Sequence, residues 1–64
     1  MEREKFIRQL RKEAKAEGLR FEIDRKLGKG SHYRLRVGNR LATVKSGDLS
    51  PVYMRMVRKQ LGLL

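Results

Sequence analysis

The residue best suited to proton-transfer chemistry in this 64-residue chain is His32, its single histidine. An imidazole exchanges protons readily near neutral pH, which makes histidine the most common general acid or base in enzymes. The chain around it contains 17 Lys and Arg against 7 Asp and Glu, a formal net charge of +10. A charge of that size attracts polyanions over long distances, although an acidic protein would respond to the same field. The combination favours chemistry on RNA.

These residue types could support cleavage of RNA without a metal ion. A base removes the proton of the ribose 2′-hydroxyl, the oxygen attacks the adjacent phosphorus, and the 5′-oxygen leaves. We expect His32 to act as the general acid or base. Nearby cations would hold the phosphate and offset the charge of the transition state; the candidates are Arg34, Arg36 and Lys45. No acids or histidines have the spacing of metal ligands, so neither a metal nor another cofactor is expected.

His32 begins the second of three predicted strands, because polar and apolar residues alternate from His32 to Val37. Gly38 and Asn39 follow, a composition typical of a two-residue hairpin turn. Such a turn fixes the register and places His32 opposite Lys45 on the polar face. The pairs expected on the other face are Tyr33 with Val44, Leu35 with Ala42 and Val37 with Arg40. The face that carries the histidine is therefore expected to be cationic.

Two helices and one further strand complete the predicted domain. A helix is predicted over residues 3–17, with apolar residues three or four positions apart and Gly18 as its cap. A strand of alternating polarity follows from Leu19. Ser50 and Pro51 are typical of a helix start, so a second helix is expected to run to about Leu61. On this helix the residues expected to face away from the core are Arg55, Arg58 and Lys59.

The order helix, three strands, helix predicts an α+β domain. Consecutive strands are expected to pair antiparallel, and both helices need an apolar surface to cover. We therefore expect the two helices to stack on one face of a three-stranded antiparallel sheet, leaving the face of His32 open. This α-β-β-β-α layout is also that of double-stranded-RNA-binding domains.

Length and composition bound the class of protein. A chain of this length holds a single domain, residues 1–64, and its 39% of hydrophobic residues are spaced periodically enough to form a small core. Cysteine is absent, so no disulfide or thiolate metal site is expected. Apolar runs are short and the N-terminus is charged, so we expect neither a signal peptide nor a spanning helix. A cytoplasmic protein without a membrane or small-molecule partner is predicted.

Two segments of the chain are similar to a known family. Gly30–Leu35 reads GSHYRL before the predicted hairpin, and Val57–Leu63 reads VRKQLGL. Together they resemble the HicA family of toxin-antitoxin ribonucleases, or mRNA interferases, and the resemblance covers nearly the whole chain. It implies a double-stranded-RNA-binding-like fold, a catalytic role for His32, mRNA as substrate and a HicB-like antitoxin as partner. The chain departs from the family at Tyr33, where a second histidine is usual, and at Lys45–Gly47, where proline and histidine are common.

The residues expected to bind RNA surround the histidine in sequence or across the hairpin. They are Lys29, Gly30, Ser31, Arg34, Arg36 and Lys45. Tyr33 is expected to pack in the core, because it alternates with the polar positions. The alternative to a ribonuclease is a non-catalytic RNA-binding module that uses the same cations on A-form RNA. DNA recognition is less favoured, because the basic residues are not concentrated on one recognition helix.

Overall fold

The computed structural model describes residues 1–26 and 32–64. Within those ranges the chain forms two helices and three strands in the order α1-β1-β2-β3-α2. The sheet is antiparallel with strand order β1-β2-β3, so β2 is its central strand. The bounds are Arg3–Ala16 for α1, Phe21–Asp24 for β1, Tyr33–Val37 for β2, Arg40–Val44 for β3 and Pro51–Gln60 for α2. The predicted α+β class and element order are confirmed.

The first helix ends at a glycine, as its sequence predicts. After Ala16 the chain passes through Gly18, whose φ is +70°. Glycine adopts this conformation readily because it has no Cβ. The amide of Leu19 then donates to the carbonyl of Ala14, and this bond satisfies one of the last carbonyls of the helix. The helix is one residue shorter than predicted.

The first strand begins two residues later than expected. Leu19 was predicted to start it, but the Leu19 amide is used by the helix-ending turn, and its side chain is 38% exposed. The strand starts at Phe21, which pairs with Val37. Phe21 and Ile23 are half-buried and pack at the margin of the core. The prediction of alternating polarity is confirmed from Phe21 onward.

The hairpin between β2 and β3 has the predicted register. Its turn is formed by Gly38 and Asn39, and Gly38 has a φ of +58°. No non-glycine residue in the described ranges has a positive φ, so Asn39 keeps an ordinary backbone conformation. The paired residues on the inner face are Tyr33 with Val44, Leu35 with Ala42, and Val37 with Arg40. This register separates the apolar and polar faces of the hairpin.

Both helices cover the same face of the sheet. The second helix begins at Ser50, whose hydroxyl accepts a hydrogen bond from the amide of Tyr53 at 3.1 Å. The buried core residues are Phe6, Ile7, Leu10, Ala14, Leu35, Val37, Ala42, Val44, Leu49, Met54, Val57 and Leu61. Arg34, Arg36 and Thr43, which alternate with core residues of the strands, are exposed. The outer face of the sheet, opposite the helices, is therefore open to solvent.

Arg58 corrects one expectation about the second helix. It was predicted to face away from the core, but its side chain is only 22% exposed and lies between the helices. Its guanidinium donates to the Glu13 carboxylate through both Nε and Nη2, each at 2.9 Å, and to Gln9 Oε1 at 3.2 Å. It also lies 5.1 Å from the ring centroid of Phe6. Arg58 therefore links α2 to α1.

Candidate nucleic-acid interface

His32 lies immediately before β2 and is exposed to solvent. In the part of the chain that the structure describes, its imidazole has no hydrogen bond, ion pair or ring contact. The following residue, Tyr33, pairs with Val44, so His32 lies at the end of the sheet. The imidazole is therefore accessible to a bound molecule, as a proton-transferring group must be.

Arg34 and Arg36 lie in β2, two and four residues after His32. Side chains of a strand alternate between its faces, so both arginines lie on the outer face, and both are exposed. A strand advances about 3.3 Å per residue, which places the Cα of Arg36 about 7 Å from that of Arg34. Two guanidinium groups thus follow one another along the exposed face of β2, and the exposed His32 directly precedes this strand. A phosphate chain lying along the outer face of β2 would meet both guanidinium groups.

Two carboxylates share this outer face. Glu22 lies directly opposite Arg36, and Asp24 lies directly opposite Arg34, in the register of β1 with β2. Together with Leu41 they border a shallow depression of about 370 Å³ on the sheet. The outer face is therefore less cationic than predicted, because the alternation of β1 places these two acids on it. Each of the two arginines on the outer face of β2 therefore has a carboxylate residue directly opposite it on β1.

The ammonium of Lys45 lies against α2, which differs from its predicted position. Lys45 was placed on the face of His32, but its ammonium lies 4.8 Å from the ring centroid of Tyr53, a residue of α2. Its amide also donates to the Tyr53 hydroxyl at 3.0 Å. Both contacts hold Lys45 beside Tyr53, at the edge of the sheet that β3 forms. Its ammonium is therefore turned away from Arg34 and Arg36.

Two further arginines lie at the end of the sheet that holds His32. The ring of Tyr33 is half-buried, as expected, and the guanidinium of Arg3 lies 3.6 Å from its centroid. The guanidinium of Arg25 lies 5.5 Å from the same centroid. Arg25 also donates to Glu4 Oε1 at 3.0 Å. This cluster could not be predicted from the sequence, because α1, the end of β1 and β2 meet there only in the folded chain.

The ion pair between Glu4 and Arg25 shifts both groups in the direction of their charged forms. The hydrogen bond from Arg25 lowers the pKa of the Glu4 carboxyl below its ordinary value of 4.5, and burial opposes this only in part. The same hydrogen bond raises the pKa of the Arg25 guanidinium. Arg25 is therefore held in a defined position beside Tyr33.

Three of the predicted RNA-binding residues, Lys29, Gly30 and Ser31, lie outside the described residues. Of the others, the structure brings Arg34 and Arg36 onto the strand that follows His32 and turns Lys45 toward α2. Within residues 1–26 and 32–64, no three His, Cys, Asp or Glu side chains are grouped so that they could hold a metal ion. Neither described helix is long and apolar enough to span a membrane.

Comparison with known proteins identifies no relative of this chain. No protein-family model matches the chain, and no curated protein and no solved structure is significantly similar to it. The resemblance to HicA toxins stays a prediction from the sequence.

Proposed function

We propose that this protein is an endoribonuclease toxin of a type II toxin-antitoxin system, and that it cleaves mRNA with His32 as its general acid or base. The observation that supports this most directly is the exposure of the imidazole directly before β2, the strand that carries Arg34 and Arg36 on its exposed face. The net charge of +10 supplies the attraction for a polyanion. The α-β-β-β-α order agrees with the resemblance to HicA toxins.

The proposed reaction uses the substrate's own hydroxyl as nucleophile. The unprotonated imidazole of His32 takes the proton of the ribose 2′-hydroxyl, and a bond forms between the 2′-oxygen and phosphorus. The bond from phosphorus to the 5′-oxygen breaks, and that oxygen takes a proton from water. The products are a 2′,3′-cyclic phosphate and a 5′-hydroxyl. Because the nucleophile is already attached beside the phosphorus, the step needs no metal-bound hydroxide.

Arg34 is the residue best placed to hold the reacting phosphate. A guanidinium offers a planar fork of donors that matches two phosphate oxygens, and its charge offsets the charge that builds on the phosphorane. Arg36, two residues further along β2, would bind a neighbouring phosphate. These contacts position the RNA without reading its bases.

A neutralising antitoxin and a cytoplasmic location complete the proposal. The resemblance implies a HicB-like partner, and a nuclease that attacks mRNA acts where mRNA is translated. The antitoxin would protect the cell by covering the outer face of the sheet, including His32. An acidic contact surface on that partner would complement the positive charge of this chain.

The test is a cleavage assay with His32→Ala on a single-stranded RNA oligonucleotide, with analysis of the ends produced. We expect the rate to fall about 10²- to 10⁴-fold, cyclic phosphate ends in the wild type, and RNA affinity within threefold of the wild type. Arg55→Ala, which removes one exposed charge from α2, serves as the control and should cleave normally. A rate for His32→Ala within threefold of the wild type would remove the imidazole from the mechanism. Growth arrest on expression should likewise be relieved by His32→Ala.

The second candidate is a non-catalytic RNA-binding module. The element order, which is that of double-stranded-RNA-binding domains, favours it, because such modules bind RNA through surface cations alone. This candidate predicts that no RNA is cut and that His32→Ala weakens binding. The same two measurements, cleavage and affinity, therefore separate the candidates.

A further inference from the structure

β3 forms one edge of the sheet, because the strand order is β1-β2-β3. In a two-residue antiparallel hairpin the residues that flank the turn are a hydrogen-bonded pair, and such pairs alternate along the strand. Arg40, Ala42 and Val44 therefore direct their backbone N–H and C=O groups toward β2. Leu41 and Thr43 direct theirs away from the sheet.

The contacts of Tyr53 agree with this direction. Its hydroxyl donates to the carbonyl of Thr43 at 3.4 Å and accepts from the amide of Lys45 at 3.0 Å. The hydroxyl thus occupies, at one end of β3, the position that a neighbouring strand would take. Three backbone groups of β3 have no hydrogen-bond partner among the described residues on the side that faces away from β2. They are the amide and the carbonyl of Leu41 and the amide of Thr43. The edge is therefore capped at one end and open in its middle.

The surface beside this open edge can receive an extended chain. A depression of about 590 Å³ runs along the edge and is bordered by Arg34, Leu41, Ala42, Thr43 and Gln60. The Leu41 side chain is 53% exposed and offers an apolar contact on the outer face. Unpaired strand edges bind extended segments through main-chain hydrogen bonds, and adjacent side chains supply the specificity.

The charges around β3 define the occupant. Arg40 begins β3, Lys45 directly follows it, Arg34 lies on the neighbouring strand β2, and all three are exposed. β3 itself contains no acid. The two acids of the outer face, Glu22 and Asp24, lie on β1 at the opposite edge of the sheet. A second copy of this chain would carry the same charge of +10 and would be repelled.

We propose that the open edge of β3 binds an extended acidic segment of a partner protein, which adds as a fourth strand. The segment would form main-chain hydrogen bonds with Leu41 and Thr43 and place carboxylates near Arg40 and Arg34. This inference does not rest on nuclease activity, because it uses none of the atoms of His32. The edge of β3 would be a second binding surface of this protein, used by a partner protein and separate from the proposed RNA site.

A peptide experiment separates strand addition from simple charge attraction. The probe is a synthetic heptapeptide in which glutamate and valine alternate, and the control is the same peptide N-methylated at every backbone amide, so that neither edge of the peptide can donate a hydrogen bond. The two peptides have equal charge, but the second cannot complete the ladder. We expect N-methylation to weaken binding about tenfold, in line with the loss of two or three modest hydrogen bonds. Equal affinities would overturn the proposal.

Nuclear magnetic resonance locates the contact. On addition of the unmodified peptide, the amide signals of Leu41 and Thr43 should shift, and these amides should become protected from hydrogen exchange. Protection confined to other residues would overturn the proposal. If an RNA oligonucleotide protects the same amides, the edge binds nucleic acid instead. If the protein forms concentration-dependent dimers without peptide, the edge binds a second copy of the chain. Either result overturns an acidic peptide as the occupant.

Variants of the protein test the same contact from the other side. Thr43→Pro removes an amide that points away from β2, a position where an edge strand tolerates proline, and Thr43→Val keeps the amide. We expect about fivefold weaker peptide binding for Thr43→Pro and unchanged binding for Thr43→Val. Tyr53→Phe exposes the Thr43 carbonyl and Lys45 amide and should tighten binding. Thermal denaturation shows whether Thr43→Pro is folded. If it is not, the N-methylated peptide and Tyr53→Phe test the proposal in its place. Unchanged or weaker peptide binding by Tyr53→Phe would contradict the proposal.

Discussion

The guanidinium of Arg3 lies 3.6 Å from the centroid of the Tyr33 ring, so the first turn of α1 contacts the first residue of β2. Tyr33 follows His32 directly, and Arg25 approaches the same ring at 5.5 Å. The contact therefore fixes the position at which the chain enters the central strand. It links the stability of the fold to the placement of the proposed catalytic imidazole.

Replacing the Tyr33 ring should loosen this anchor. We expect Tyr33→Leu to lower the free energy of unfolding by about 1–2 kcal/mol, because both packing and the cation–π contact are lost. Tyr33→Phe keeps a ring and should cost less than about 0.5 kcal/mol. Urea denaturation measures both values. RNA cleavage by Tyr33→Leu should also fall several-fold, and equal stability of the two variants would contradict a role for the ring.

Acid should weaken the contact between Glu4 and Arg25. The pKa of Glu4 is lowered in the folded protein, chiefly by the hydrogen bond from Arg25, so the unfolded chain takes up its proton first as the pH falls. The contribution of Glu4 to stability is therefore fully present above its ordinary pKa of 4.5 and is lost as the pH falls through its lower folded value. Denaturation curves at several pH values below neutrality should show this loss.

Glu4→Gln removes the titrating group and should flatten that part of the stability profile. Glu17→Gln is the matched control, because Glu17 is exposed at the end of α1 and has no arginine partner among the described residues. The control should keep the wild-type loss of stability in acid. The assignment to Glu4 fails if the two variants have the same profile.

The fold could be predicted from the sequence where a local pattern determines it. The spacing of three or four residues in α1, the alternation in β2 and the turn at Gly38 each depend on neighbours in the chain, and all three are confirmed. The start of β1 was placed too early because the turn after Gly18 uses the amide of Leu19. Periodicity describes the side chains and does not show which backbone groups a helix end requires.

The candidate site was predicted less completely, because its electrostatics depend on contacts between elements. The pairing of Asp24 with Arg34 follows from the register of β1, which the sequence analysis did not derive. Arg58 was assigned to solvent by its charge, yet its long apolar stem lets it lie half-buried while its guanidinium reaches Glu13. The contact of Lys45 with Tyr53 needs the helix in place. Such long-range contacts leave no local pattern.

The link between Arg58 and Glu13 should contribute measurably to stability, because it is bidentate and partly shielded from water. We expect Glu13→Gln to lower the free energy of unfolding by about 1 kcal/mol and Arg58→Ala by about 2 kcal/mol, since the latter also loses packing on Phe6. Arg58→Lys keeps the charge without the fork and should fall between them. A double-mutant cycle by urea denaturation gives the coupling, and a value near zero would contradict the assignment.

The acids on the outer face should weaken RNA binding, because Glu22 and Asp24 lie opposite the arginines proposed to hold phosphates. We expect Asp24→Asn to raise RNA affinity about two- to fivefold at moderate salt; the amide oxygen of asparagine can still accept the hydrogen bond from the Lys26 amide. Fluorescence anisotropy with a labelled oligonucleotide measures the change. Glu17→Gln alters the net charge equally but lies at the end of α1, so it should have a smaller effect. Equal gains for the two variants would show that net charge, and not this face of the sheet, determines binding.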